Sequence, residues 1–314
     1  MASKILAIGE CMAELAPSDA AGGYRLGFAG DTFNTAWYLA RLAPDLSVSY
    51  FTAVGQDKLS QDLLAFMHDS RIDAAQVREI ADRTIGLYLI SLDNGERSFS
   101  YWRGQSAARH MTEDAQAMAK AIDAADIIFF SGITLAILSV EARARLLGAL
   151  QVARGAGKLV AFDPNLRPGL WASGAEMTDA IMQAAACCDL ALPSFEDEAT
   201  WFNDASPQAT AARYTGVGAR SVVVKNGAGP VHFVDGDQSG DIAVAALQKV
   251  TDTTAAGDSF NAGILAGVAT DTPLDVAIGL SCRLAREVVQ HKGALVPLNM
   301  ARFAPQPGLG AIDA

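Results

Sequence analysis

The stretch DTTAAGDSFNAG, residues 252 to 263, sets a carboxylate where a helix-like apolar run begins. Asp258 follows Ala255-Ala256-Gly257, and Phe260, Ile264, Leu265 and Val268 come after it at helical spacing. Two chemistries suit this arrangement. An acid at a helix start caps it and complements its macrodipole. Alternatively, the bare backbone N–H groups of Ala255, Ala256 and Gly257 hold an anion at the helix N-terminus, and Asp258 beside it accepts a proton. Caps are the commoner use of such residues, so the stretch by itself favours the first reading.

A second constellation lies in residues 84–92 and 96–103, two β-like runs separated by Asn94-Gly95, a strong hairpin signal. A two-residue loop there sets Asp93 opposite Glu96 and therefore Tyr88 opposite Tyr101. Arg103 falls two residues further along the same face, because side chains on one face of a strand recur with period two. Two phenols and one guanidinium thus share a face. It is either an ordinary exposed aromatic face or a lid that presents hydroxyls and a cation to a polar ligand.

The elements that must position these groups alternate along the chain. Short apolar runs at 4–8, 47–54, 127–131, 159–162, 190–193 and 222–225 read as strands. Amphipathic segments at 32–42, 59–68, 140–153, 177–186, 208–215, 257–269 and 274–289 read as helices. This order predicts βαβ units and a mostly parallel sheet with helices on both faces, in one domain spanning 1–314. Residues from about Pro297 read as a loose tail. Polar clusters follow the strands at Gly9-Glu10, Asp163-Pro164-Asn165, Ser194 and Asn226-Gly227. In open α/β sheets ligands bind outside the carboxyl ends of the strands.

Composition removes several classes of function. With 314 residues, 51% apolar and 19% charged, the chain suits a well-packed globule. A formal net charge of −11 argues against a nucleic-acid surface and requires that any anionic ligand be held by local cations. No apolar run reaches membrane-spanning length and the first residues lack a leader pattern, so no membrane association and a cytoplasmic location are expected. Cys11, Cys187, Cys188 and Cys282 show no paired spacing and are expected to be buried free thiols. The scattered histidines offer no zinc motif. Neither a G-x-x-x-x-G-K-[ST] loop, nor a G-x-G-x-x-G after a strand, nor a G-x-S-x-G elbow is present.

Against these absences DTTAAGDSFNAG resembles the D-T-T-G-A-G-D-x-F signature of ribokinase-like (PfkB) sugar kinases. GFAGDTFNTAWYLARL at 27–42 is similar to that family's N-terminal glycine and asparagine motif, and FDPNLRPGLW, LPSFEDE and VVVKNGAGP fall between them in the family's order. Within the family GECMAEL, GLYLI, GERSFSYWR and SAAR resemble the 2-keto-3-deoxygluconate kinase branch.

The resemblance implies a ribokinase-like three-layer α/β/α sandwich with a small β-sheet lid built from about 11–29 and 84–108. It implies transfer of the ATP γ-phosphoryl group to the 6-hydroxyl of a sugar acid, with Mg²⁺ held through phosphates and water and no dedicated protein metal site. Asp258 is then the base, and the N–H groups of Ala255, Ala256 and Gly257 the anion hole. Gly30, Asp31 and Asn34 are expected at sugar hydroxyls. Arg103 and Arg167, aided by Tyr88 and Tyr101, are expected at the carboxylate. Asn165, Ser194, Lys225, Gly227 and Gly229 are expected along ATP, to which Arg167 has an equal claim. The lid's sheet edge suggests a homo-oligomer. A neutral-sugar kinase such as a fructokinase, or a catalytically silent sugar-acid sensor, are the alternatives.

Two departures from the family pattern carry expectations. Ala255 stands where the family has glycine, so this position should avoid positive φ. The family's N-x-x-E reads Ser194-Phe195-Glu196-Asp197, leaving Asp197 or Glu198 to order Mg²⁺-bound water.

Overall fold

Runs such as Ile5-Leu6-Ala7-Ile8 and Ile127-Ile128-Phe129-Phe130 are apolar at every position, so both faces of the strands they form must be covered. A computed structural model describes residues 3–303 other than 19, 21, 94, 95 and 248. The first half of the chain forms β1 (Lys4–Ile8), β2 (Met12–Pro17), β3 (Tyr24–Ala29), β4 (Ser47–Phe51), β5 (Ala53–Val54), β6 (Arg78–Glu79), β7 (Leu87–Asp93) and β8 (Glu96–Trp102). The second half adds β9 (Ile127–Ser131), β10 (Leu159–Asp163), β11 (Leu190–Ala191), β12 (Ser221–Val224), β13 (Val231–Asp235) and β14 (Gln238–Ile242). The helices are α1 (Asp31–Leu42), α2 (Lys58–Asp69), α3 (Ala115–Asp123), α4 (Gly132–Ala136) and α5 (Val140–Gly155). They continue with α6 (Gly174–Ala185), α7 (Phe195–Phe202), α8 (Pro207–Gly216), α9 (Ala256–Ala269) and α10 (Leu274–Val288).

Eight strands form the large sheet in the order β14-β13-β12-β11-β10-β9-β1-β4. It is parallel from β12 to β4, and β13 and β14 extend it as antiparallel strands. Alternate residues enter opposite cores. Ile5, Ala7 and Phe129 pack with α1, α2, α9 and α10, while Leu6, Ile8 and Phe130 pack with α3, α5, α6 and α8. The three-layer arrangement is the expected one. Sequence periodicity misses β13 and β14, whose His232, Gly240 and Asp241 interrupt any apolar run, and α3, whose alanines blur its apolar stripe. The strand expected over 47–54 breaks at Thr52 into β4 and β5. Three cysteines are buried and Cys282 is partly exposed, all as free thiols. Among the described residues no helix is long and apolar enough to cross a membrane.

The four-stranded lid, in the order β3-β2-β7-β8, is antiparallel except where β2 meets β7. Its hairpin has the expected register, with Tyr88 opposite Tyr101 and Asp93 opposite Glu96. The Asn94-Gly95 turn that implied this register lies outside the described residues. Arg103 follows the last residue of β8.

Helix starts divide into two kinds. The side chains of Asp57, Asp114, Ser139, Ser173 and Ser206 each accept a backbone N–H from three residues on, capping α2, α3, α5, α6 and α8. By contrast α1, α7, α9 and α10 begin at Gly30, Ser194, Ala255 and Pro273 without a side-chain cap. The starts of α1, α7 and α9 face the same cavity, whereas that of α10 does not.

Candidate active site

The cavity, about 690 Å³, lies between the carboxyl ends of the central strands and the lid. Every residue singled out from the sequence for substrate or nucleotide lines it except Gly227 and Gly229. Those two lie in the turn after β12, where Gly227 has φ 56°.

Asp258 stands in the first turn of α9, partly exposed to the cavity. Its Oδ2 accepts a hydrogen bond from Asn34 Nδ2 at 2.7 Å, while Asn34 Oδ1 accepts the Gly30 N–H at 3.3 Å. Both ends of the buried Asn34 amide are thus assigned, and its evident work is to orient Asp258. The glycine at 30 is required sterically, because a Cβ there would lie 2.1 Å from the Glu10 carbonyl oxygen. α9 reaches its position by close contact with α10, where a Cβ on Gly263 would lie 2.3 Å from Ser281 Oγ. Desolvation, followed by repulsion from Asp31 and Asp163, pushes the Asp258 carboxyl up to about 8 against the opposing pull of Asn34 and Lys225. A carboxyl tuned this way accepts a proton near neutral pH far better than an ordinary aspartate.

The anion hole departs from expectation at two residues. Ala255 adopts φ 59° and ψ 16°, the left-handed conformation that its Cβ was expected to forbid. Such a conformation costs an L-residue about 1–2 kcal/mol. The methyl group gains apolar contact in return, packing against a cluster of Met12, Ala29, Tyr88, Ile90 and Ala294 at the base of the lid. The Ala256 N–H is drawn back to the Thr253 carbonyl at 3.2 Å and is not free for a ligand. Among the described residues no protein group accepts the N–H of Ala255 or Gly257.

Behind this helix end lies a polar network that the sequence only partly announces. Lys225 Nζ donates to Asp163 Oδ1 and to Asn261 Oδ1, both at 3.2 Å, and Asn261 Nδ2 donates to Asp163 Oδ2 at 2.7 Å. Asn165 Nδ2 donates to Asp31 Oδ2 at 2.8 Å, tying the end of β10 to the start of α1. Asn261 was legible as a neighbour of Asp258, because residues three apart share a helix face.

The lid wall is aromatic. Tyr88 and Tyr101 lie 5.8 Å apart between ring centroids, and Phe99 stacks on Tyr101 at 6.2 Å. Period two along β8 already placed Phe99 beside Tyr101, although sequence reasoning passed over it. The Tyr88 hydroxyl donates to the Glu14 carboxylate, so the cavity meets mainly its ring. Arg103 Nη2 donates to Glu10, whose Oε1 also accepts Ser106 Oγ at 2.5 Å. The side chains of Arg103 and Glu10 are only 10% and 1% exposed. Arg103 therefore reaches the cavity already paired. Arg167 is 52% exposed; its Nη1 donates to the Leu166 carbonyl at 2.7 Å and lies 3.9 Å from the Asp197 carboxylate, so its charge is the more available. Glu198, one of two candidates near Mg²⁺, is fully buried and bound to Arg213 at 2.6 Å and Tyr214 at 3.0 Å. It belongs to the core, and Asp197 is the carboxylate that lines the cavity.

The chain is 39% identical over 305 residues to the 2-dehydro-3-deoxygluconokinase of Escherichia coli K12, covering 95% of this chain and 98% of that one. It is 38% identical over 300 residues to the 2-dehydro-3-deoxygluconokinase of Haemophilus influenzae, covering 93% and 95%. The crystal structure of a PfkB protein from Polaromonas sp. JS666 superposes with a TM-score of 0.82 at 29% identity, covering 92% of this chain and 96% of that one. Residues 2–300 match the pfkB family carbohydrate kinases, and the chain belongs to that family.

Proposed function

We propose that the protein transfers the γ-phosphoryl group of ATP to the 6-hydroxyl of 2-keto-3-deoxygluconate. The observation that carries this reading is one cavity lined together by Asp258, the open N–H groups ahead of it, Arg103, Arg167 and the aromatic residues of the lid. The names of relatives 38% and 39% identical to this chain support it.

In this reading the substrate hydroxyl gives its proton to Asp258 while its oxygen bonds to the γ-phosphorus. The bond from that phosphorus to the bridging oxygen breaks, and its electron pair leaves with ADP. The N–H groups of Ala255 and Gly257 receive charge that develops on the phosphoryl oxygens. Gly30 and Asp31 meet sugar hydroxyls, Arg167 and the paired Arg103 meet the carboxylate, and Ser194 lies toward the nucleotide. Asp197 is partly buried, burial raises its proton affinity, and it keeps acceptor capacity beyond Arg167, which fits water on a Mg²⁺ carried by the phosphates. The ion would supply charge neutralisation there.

ADP release with MgATP, compared across 2-keto-3-deoxygluconate, 2-keto-3-deoxygalactonate, gluconate, fructose and ribose, tests the assignment. Strong preference for the 2-keto-3-deoxy acids is expected. The pairing of Arg103 with Glu10 favours one competitor, a neutral-sugar kinase, and higher kcat/KM for fructose would establish it. Sugar-acid binding without ADP release would leave a sensor.

The lid also leaves apolar groups in solvent at its two edge strands, Tyr24 (49% exposed) and Leu26 (47%) on β3 and Trp102 (59%) on β8. We take these edges as the surface through which two copies associate. Light scattering should show a dimer that Leu26→Asp converts to monomer; a monomeric parent protein would refute this.

A further inference from the structure

Lys225 is more than a neighbour of the nucleotide. Its backbone is fixed on both sides, the N–H donating to the Pro193 carbonyl and the C=O accepting from Phe195 N–H, each at 2.8 Å. Its side chain is only 11% exposed, and its ammonium carries three protons. Asp163 and Asn261 take two of them, and Asn261 cannot rotate away because its amide nitrogen is held by the other oxygen of Asp163. The third proton has no acceptor among the described residues. Nζ lies 3.7 Å from where a Cβ on Gly257 would stand, and both residues line the cavity. A cation with one unspent donor, held rigidly against an open helix end, suits an anion that arrives there.

We infer that Lys225 is a catalytic residue whose third N–H contacts the phosphoryl group in flight between nucleotide and acceptor, while Asp163 and Asn261 position it. This rests on the kinase reading above and assigns Lys225 to the transferred group itself. A donor aimed at charge that develops only in the transition state accelerates the step without tightening ground-state binding. Two static acceptors also keep the ammonium from following ADP out of the site.

Lys225→Met tests the inference. Removal of one such donor is expected to lower kcat about 10²-fold, with KM for the sugar acid within about twofold. Affinity for ADP with aluminium fluoride, which imitates the phosphoryl in flight, should fall by about the same factor while ADP alone binds as before. The acid limb of the kcat profile should also move to higher pH. Of the groups facing Asp258 (Asp31 and Asn34 from α1, Asp163 from β10, Lys225 beyond β12), Lys225 alone is positive. Should the single variant fail to fold because Asp163 is left unpaired, Lys225→Met with Asp163→Asn gives the same binding comparison. A kcat within about threefold of the parent, or equal losses for ADP and for ADP with aluminium fluoride, would overturn the inference. The binding comparison does not depend on which sugar is phosphorylated, so it fails or succeeds separately from the substrate assignment.

Discussion

Asp258→Asn is expected to reduce kcat by about 10³- to 10⁴-fold while the sugar acid and nucleotide bind within severalfold of their normal affinity. The substitution keeps an oxygen that can accept from Asn34 Nδ2, so the 2.7 Å contact and the start of α9 should persist. What is lost is the proton acceptor. A variant that retains more than a tenth of the parent rate would show that the acceptor hydroxyl is deprotonated elsewhere.

The same carboxyl makes two pH predictions with definite sign. Its proton must be absent for catalysis, and desolvation with Asp31 and Asp163 pushes it up to about 8 in the folded chain. kcat/KM should therefore rise about tenfold per pH unit toward that value and level above it. For stability, the folded state holds the proton and the unfolded state does not between the ordinary carboxylate range near 4 and about 8. The folded state thus binds more protons in this window, and stability falls as pH rises through it. Asp258→Asn removes that burden. At pH 9 it should be more stable than the parent by a few kcal/mol, with about 1.4 kcal/mol per pH unit of that window as the ceiling. Equal urea midpoints for the two proteins at pH 9 would contradict the raised proton affinity.

What could be read in the sequence and what could not follow one physical divide. Local rules located the strands with continuous apolar runs, the small residues ahead of Asp258, and the hairpin register that brings Tyr88 opposite Tyr101. Ala255 was misjudged because a local rule, the steric cost of a Cβ at positive φ, was outweighed by contacts with lid residues far away in sequence. Asp197 and Glu198 are adjacent, and about 100° of helical rotation separates them. Which of the two turns to the cavity and which to Arg213 depends on how α7 sits against α8. The pairing of Glu10 with Arg103 spans 93 positions and had no local signal beyond a carboxylate after β1.

That pairing gives the second large effect, and it separates recognition from folding. Arg103→Ala should raise KM for the sugar acid by roughly 30-fold or more, the loss of about 2 kcal/mol or more expected when one partner of a desolvated charge pair is cut away. It should also cost about 3–5 kcal/mol of stability, because Glu10, 1% exposed, is left as a buried charge facing only Ser106. The remedy for the second effect is not a remedy for the first. In Glu10→Gln with Arg103→Ala the buried charge is gone and the Gln oxygen can still accept from Ser106. Urea denaturation should recover most of the lost stability, with a coupling of about 1–3 kcal/mol between the two positions. KM for the acid should stay high, because no cation has returned to that wall. If the double variant instead regains the parent KM, Arg103 acts on substrate only by holding the lid in place. Discrimination of the carboxylate would then fall to Arg167, which lines the cavity with the Asp197 carboxylate 3.9 Å away.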